Sequence, residues 1–181
     1  MSNLKQLYVV LRLYSDDNQD VILPFYHVTG PPDIYRYWFA RLIYLKYLPD
    51  VPAGKDTNPL GWCPSDRALI DRCLSQGLGL NVPNVDGVWY SLRGSTYGEN
   101  PGLYPQTFAY WRGKEDRMIF VADARNETIT YYLQTPPPDF PTMVWFRHDG
   151  RGNVLYLDGH IESHTSSTLT TNPGMGWQSS P

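Results

Sequence analysis

The sequence predicts one α+β domain over residues 1–181, with a helix at its start and antiparallel sheet towards its end. Three stretches carry this expectation. Residues 3–15, NLKQLYVVLRLYS, place Leu4, Leu7, Tyr8, Leu11 and Tyr14 on one helical stripe and leave Lys5 and Arg12 off it. Residues 117–122 and 128–133, RMIFVA and TITYYL, are short runs rich in β-branched and aromatic side chains. Residues 143–164 alternate strand-like runs with Gly-containing turns and read as a three-stranded meander.

The first helix is expected to end at Asp16-Asp17-Asn18, leaving Leu4, Leu7, Leu11 and Tyr14 as its packing face. It lacks a capping residue and begins with its apolar pattern at full strength, as a helix cut rather than started would. A second helix is expected over 33–47, after Pro31-Pro32-Asp33, with Ile34, Trp38, Leu42, Leu45 and Leu48 on one face and Pro49 as its stop. A third is expected over 65–76, with Ser65 as N-cap and Gly77 beyond its end. Short strands are expected at 88–90 and 107–110. In the meander, strands at 144–148, 153–157 and 160–163 are joined by a turn at 149–152 and a two-residue turn at Asp158-Gly159. Residues 165–181, rich in Ser, Thr, Gly and Pro, read as a loose tail.

Composition narrows the function. A net charge of −3 with scattered basic residues argues against a nucleic-acid partner. No apolar run approaches the ~20 residues needed to span a bilayer, and no signal peptide follows Met1. Aromatics make up 14% of the chain, led by 14 Tyr, which suits a core plus some subunit contacts. No Ser lies in a nucleophile-elbow frame and no glycine loop suits a phosphate, so no enzyme is expected.

Candidate ligand sets are weak. His148, Asp158, His160 and His164 are close in sequence, but the expected register pairs Leu157 with His160. That separates the Asp158 carboxylate in the turn from the ring of His148, whereas zinc wants three or four convergent ligands. Asp16, Asn18 and Asp20 alternate like a calcium loop, but Val21 stands where its glycine belongs and His27 where its glutamate belongs. No metal and no cofactor is therefore expected. Cys63 and Cys73 are the only cysteines; they allow one disulfide around a short helix, or two separate buried thiols.

Four segments, in order along the chain, resemble a bacterial family. His148 followed after nine residues by Asp158-Gly159 matches the H-X9-DG signature of type IV pilin-like (pseudopilin) proteins, and FRHDGRGNVLYLDGHIESH is similar to that segment throughout. Residues 3–24 resemble the family's NLKQ…YADDN segment, Cys63-Pro64-Ser65-Asp66 its CPSD motif, and residues 95–100 its SYGxN motif.

The resemblance implies a pilin-like fold, a long N-terminal helix on an antiparallel sheet, of which residues 1–17 are the remainder. It implies a membrane-spanning half of that helix ahead of Met1. It also implies a structural subunit of a type IV pilus-like or type II secretion pseudopilus assembly, anchored at the inner membrane with this domain in the periplasm, or assembled at the cell surface. Its partners would be other pilin subunits and the assembly apparatus. The alternative is a displayed module binding polysaccharide or a secreted protein through the loops of residues 77–115 and the tail. In the family the His148, Asp158 and Gly159 motif carries no assigned chemistry, and its expected role is structural.

Overall fold

A computed structural model describes residues 3–24, 38–49, 59–66, 97–100, 103–124, 144 and 146–171. The amphipathic stripe at the start forms helix α1, Asn3–Asp17, which buries Leu4, Leu7, Leu11 and Tyr14. Each such side chain contributes about 1.5–3 kcal/mol on burial. The helix stops where Asn18 Nδ2 donates to Tyr14 O (2.7 Å) and Gln19 and Asp20 turn left-handed, at φ 58 and 64°. Helix α2, Trp38–Tyr44, ends before its expected end at residue 47; residues 33–37 of the expected helix lie outside the described residues. Lys46, at φ 67°, turns the chain so that Tyr47 N–H reaches Leu42 O at 2.9 Å.

Among the described residues, four strands form one antiparallel sheet in the order β1-β2-β3-β4: β1 Tyr97–Glu99, β2 Ile119–Asp123, β3 Arg151–Tyr156 and β4 Ile161–Thr165. Both faces are covered. Phe120, Val121, Leu155 and Leu157 join the α1 stripe, Leu23, Trp38 and Leu42 in the larger core. Ile119, Ala122, Val154 and Tyr156 pack with Val144 and Leu169 in a second, smaller core. Burial on both faces explains why β2 reads IFVAD without polar alternation, its five residues all buried.

Several expectations need correction. The segment expected as the first meander strand is not a regular strand. Val144 bridges Ala124, and His148 pairs with Arg151 across a two-residue turn, Asp149-Gly150, at φ 52 and 77°. The next turn is longer than expected by one residue. Leu155 pairs with Ile161, Tyr156 N–H donates to His160 O and Gly159 N–H to Tyr156 O, so Leu157-Asp158-Gly159 forms the loop. Only Gly159 needs positive φ there, at 88°. The expected strand at 107–110 is a single bridge, Thr107 to Val21, followed by a 3-10 turn at Ala109–Trp111. Ser65, the expected N-cap, lies inside a 3-10 turn, Pro64–Asp66; residues 67–76 of the expected helix lie outside the described residues.

The tail is not loose from its start, because helix α3, Ser166–Thr171, follows β4 directly. Thr165 Oγ1 accepts Thr168 N–H (3.3 Å), and Leu169 closes the second core. The expected strands at 88–90 and 128–133, and residue Cys73 of the candidate disulfide, lie outside the described residues.

Candidate functional site

The segments that carry the family resemblance meet in space. Asn3 Nδ2 of α1 donates to Trp62 O (2.7 Å), tying the helix to the segment of Cys63. Lys5 Nζ donates to Gly159 O, and the ring of Tyr8 rests on Gly159, so the Asp158-Gly159 turn is held against α1. Asp158 Oδ1 accepts the backbone N–H of His160 (3.0 Å) and contacts its Nδ1 (2.6 Å), which folds the turn on itself. His148 and Asp158, the two polar members of the signature, therefore take different partners.

His148 turns inward. Its Nε2 lies 3.5 Å from Cys63 Sγ and 3.1 Å from Asp123 Oδ2, and its Nδ1 lies 3.4 Å from Ser65 Oγ. Asp123 ends β2 opposite Tyr97 of β1 and is wholly buried. Its Oδ2 accepts Asn153 N–H at 2.7 Å, while its Oδ1 stands 3.5 Å from Arg147 Nη2 and accepts no hydrogen bond. Burial pushes the Asp123 carboxyl up to about 7, against the pull of the Asn153 hydrogen bonds. Burial likewise lowers Arg147 to about 10, opposed by the Cys63 sulfur. Between those limits the two form a buried ion pair. His148 is lowered by burial and then by Arg147, which keeps its ring neutral near pH 7.

Cys, His and Asp side by side invite comparison with a nucleophilic triad, and the geometry rejects Cys63 as its nucleophile. In a triad the base takes the nucleophile's proton on one ring nitrogen and is oriented by the carboxylate through the other. Here Cys63 and Asp123 both face Nε2, and Ser65 faces Nδ1. What the arrangement offers is three donor atoms of different types around one point, all within 4.8 Å of one another.

His160 and His164 stand apart from this group. His164 Nε2 lies 2.9 Å from Tyr156 Oη and 3.2 Å from Glu162, and the His160 ring stacks on Tyr156 at 4.2 Å. The acidic run after α1 is absorbed by capping: Asp20 Oδ2 accepts Ala109 N–H (2.7 Å) and Asp16 pairs with Arg12 (3.3 Å).

Asp123 and Arg147 were not legible as site residues. The available signal was a carboxylate ending an otherwise apolar strand, a buried charge that calls for a partner. A groove of about 620 Å³ also opens beside α1, lined by Tyr8, Arg12, Asp20, Phe108, Arg112 and Asp158 among others. The guanidinium of Arg12 covers the Phe108 ring at 4.0 Å. No family model, no curated protein and no solved structure matches the chain.

Proposed function

We propose that the chain is the globular part of a structural subunit in a type IV pilus-like or type II secretion pseudopilus assembly. Its partners are other pilin-like subunits and the assembly apparatus, and its place is the periplasm or a surface filament. The observation that carries this reading is the attachment of α1. The helix buries one stripe in the core and is latched at Asn3, Lys5 and Tyr8 by the segments that bear the family signature. The opposite side exposes Val9 (53%) and Leu13 (52%), one turn apart and free to meet a neighbouring subunit. A domain that holds a helix by one face and offers apolar side chains on the other suits assembly through that helix.

The helix would have to continue into an anchoring segment, because no helix among the described residues is long and apolar enough to cross a membrane. The gene upstream of the Met1 codon is the direct test. An in-frame leader with basic residues, a glycine cleavage site and about 20 apolar residues supports the reading. A stop codon and ribosome site there would remove it. Electron microscopy of the full-length product expressed with a prepilin peptidase then tests filament formation.

The groove beside Tyr8 supports a second reading, a displayed module that binds polysaccharide. It combines aromatic rings with carboxylates and guanidinium groups able to bond hydroxyls. Binding to a glycan array without any filament formation would favour it.

A further inference from the structure

We propose that Cys63, Asp123 and His148 form a zinc site that clasps three distant parts of the chain, a role separate from filament assembly. The donor spacing is the first ground. Zinc bonds of ~2.3 Å to thiolate and ~2.0 Å to imidazole or carboxylate, at tetrahedral angles, set sulfur and nitrogen about 3.5 Å apart and nitrogen and oxygen about 3.3 Å apart. The observed separations are 3.5 Å for Cys63 Sγ to His148 Nε2 and 3.1 Å for His148 Nε2 to Asp123 Oδ2. The third separation, sulfur to carboxylate, also falls within 4.8 Å.

The second ground is where the polar atoms point. The Asp123 side chain is wholly buried, and its Oδ1 accepts no hydrogen bond. Arg147 Nη2 already faces Oδ1 at 3.5 Å, which leaves the Oδ2 side, 3.1 Å from His148 Nε2, as the place where a metal would bond the carboxylate. Nδ1 of His148 faces Ser65 Oγ, so an Nδ1–H···Oγ contact leaves the Nε2 lone pair directed at the other two donors. With no cation, the same lone pair would face a carboxylate at 3.1 Å, and a proton on Nε2 has to fill that point instead. Metal and proton thus compete for one position. Binding moves the His148 proton to Nδ1 and releases the Cys63 thiol proton to solvent, as Zn–S, Zn–N and Zn–O bonds form.

The outer contacts fit as well. Asn153 N–H fixes Asp123 Oδ2, and Arg147 Nη2 stands by Oδ1 and favours the ionised carboxylate. The mixed sulfur, nitrogen and oxygen set selects a borderline cation such as zinc over calcium or magnesium, which take oxygen ligands. Cys63 and Asp123 are buried, whereas the His148 side chain is 27% exposed, so entry and a fourth ligand such as water come from the His148 side.

The test uses the whole 181-residue chain, treated with a chelator and titrated with Co²⁺ and then Zn²⁺. The expected result is one tightly bound equivalent, with the visible bands of tetrahedral cobalt and a thiolate-to-cobalt charge-transfer band. At zinc 100-fold above its Kd, the folding equilibrium should shift about 100-fold towards the native state. The charge-transfer band must survive Cys73→Ser and vanish in Cys63→Ser. Should Cys63→Ser fail to fold, His148→Gln, altered at a partly exposed ring, must abolish binding of the equivalent while His160→Gln leaves it intact. Absence of a bound equivalent in the unaltered chain overturns the proposal, and so does a band that follows Cys73. Neither result touches filament formation, so this proposal and the subunit reading fail separately.

Discussion

Tyr8 and Gly159 approach more closely than any side chain at position 159 would allow. A Cβ there would stand 2.6 Å from Tyr8 Cε1 and 2.9 Å from Cδ1 and Cζ, and the backbone already sits at φ 88°. The glycine of the Asp158-Gly159 motif is therefore required twice, by its left-handed conformation and by the aromatic ring from α1. Gly159→Ala should cost about 1–2 kcal/mol for the conformation and about 1–3 kcal/mol for the overpacking. Adding Tyr8→Ala should recover only the second part. Urea denaturation of the two single variants and the double variant reads this coupling; independent, additive effects would mean the ring and the turn do not press on each other.

The two sides of α1 should separate stability from assembly. Leu7→Ala and Leu11→Ala, at side chains buried to 0% and 1% exposure, should each lose about 2–5 kcal/mol. Val9→Ser and Leu13→Ser should stay within about 0.5 kcal/mol of the parent in thermal or urea unfolding. If the chain is a filament subunit, the same two exposed changes should depress filament yield from the full-length gene. Unaltered filaments would move the subunit contact elsewhere.

Glu99 supplies a pH signature. It is buried on β1, its Oε2 accepts no hydrogen bond, and burial holds its carboxyl well above the usual carboxylate range. With the folded-state pKa raised, the fold prefers the protonated group. Its contribution is fully present below the ordinary glutamate value of about 4.3 and is lost as pH rises towards the raised value. Glu99→Gln should flatten that decline and raise stability at pH 7, by about 1–3 kcal/mol for a relieved buried polar group. Melting curves from pH 4 to 7 decide it; parallel curves for parent and variant would sink the idea.

His164 should work in the opposite sense. Its side chain is nearly buried against Tyr156, and burial lowers its pKa first, with Glu162 pulling it back. The fold therefore prefers the neutral ring. Its contribution is present above about 6.5, the ordinary histidine value, and is lost as pH falls towards the lowered value. In a Glu99→Gln background, where the competing slope of Glu99 is gone and that of Asp123 is common to both chains, His164→Asn should weaken the loss of stability between pH 6.5 and 5. An unchanged slope would show that the ring titrates alike in folded and unfolded chains.

What was legible in the sequence follows from how locally each feature is encoded. The α1 stripe is a local periodicity, and Leu4, Leu7, Leu11 and Tyr14 are buried in the larger core. The α+β class and the β3–β4 hairpin were likewise readable, since β-branched runs and a DG turn lie within a few residues. Turn length was not: Asp158-Gly159 fits a two-residue turn as well as a three-residue loop, and hydrogen bonding at Tyr156 and His160 decides for the latter. Residues 165–171 looked too polar for structure, yet one buried residue, Leu169, gives that helix a place to dock. The cluster around His148 was hidden for a different reason. Cys63, Asp123 and His148 stand far apart in the chain, and only the sheet brings them together.

The latching of α1 has a consequence for synthesis. The helix leaves the ribosome well before its fastenings, Trp62, Phe108 and Gly159, are made. Until then its apolar stripe meets only early partners such as Leu23, Trp38 and Leu42, and complete docking waits for contacts of long sequence separation. A transcript broken shortly before codon 159 would yield a product in which α1 lacks its Gly159 latch, with part of the Leu4, Leu7 and Leu11 stripe on offer to chaperones and proteases.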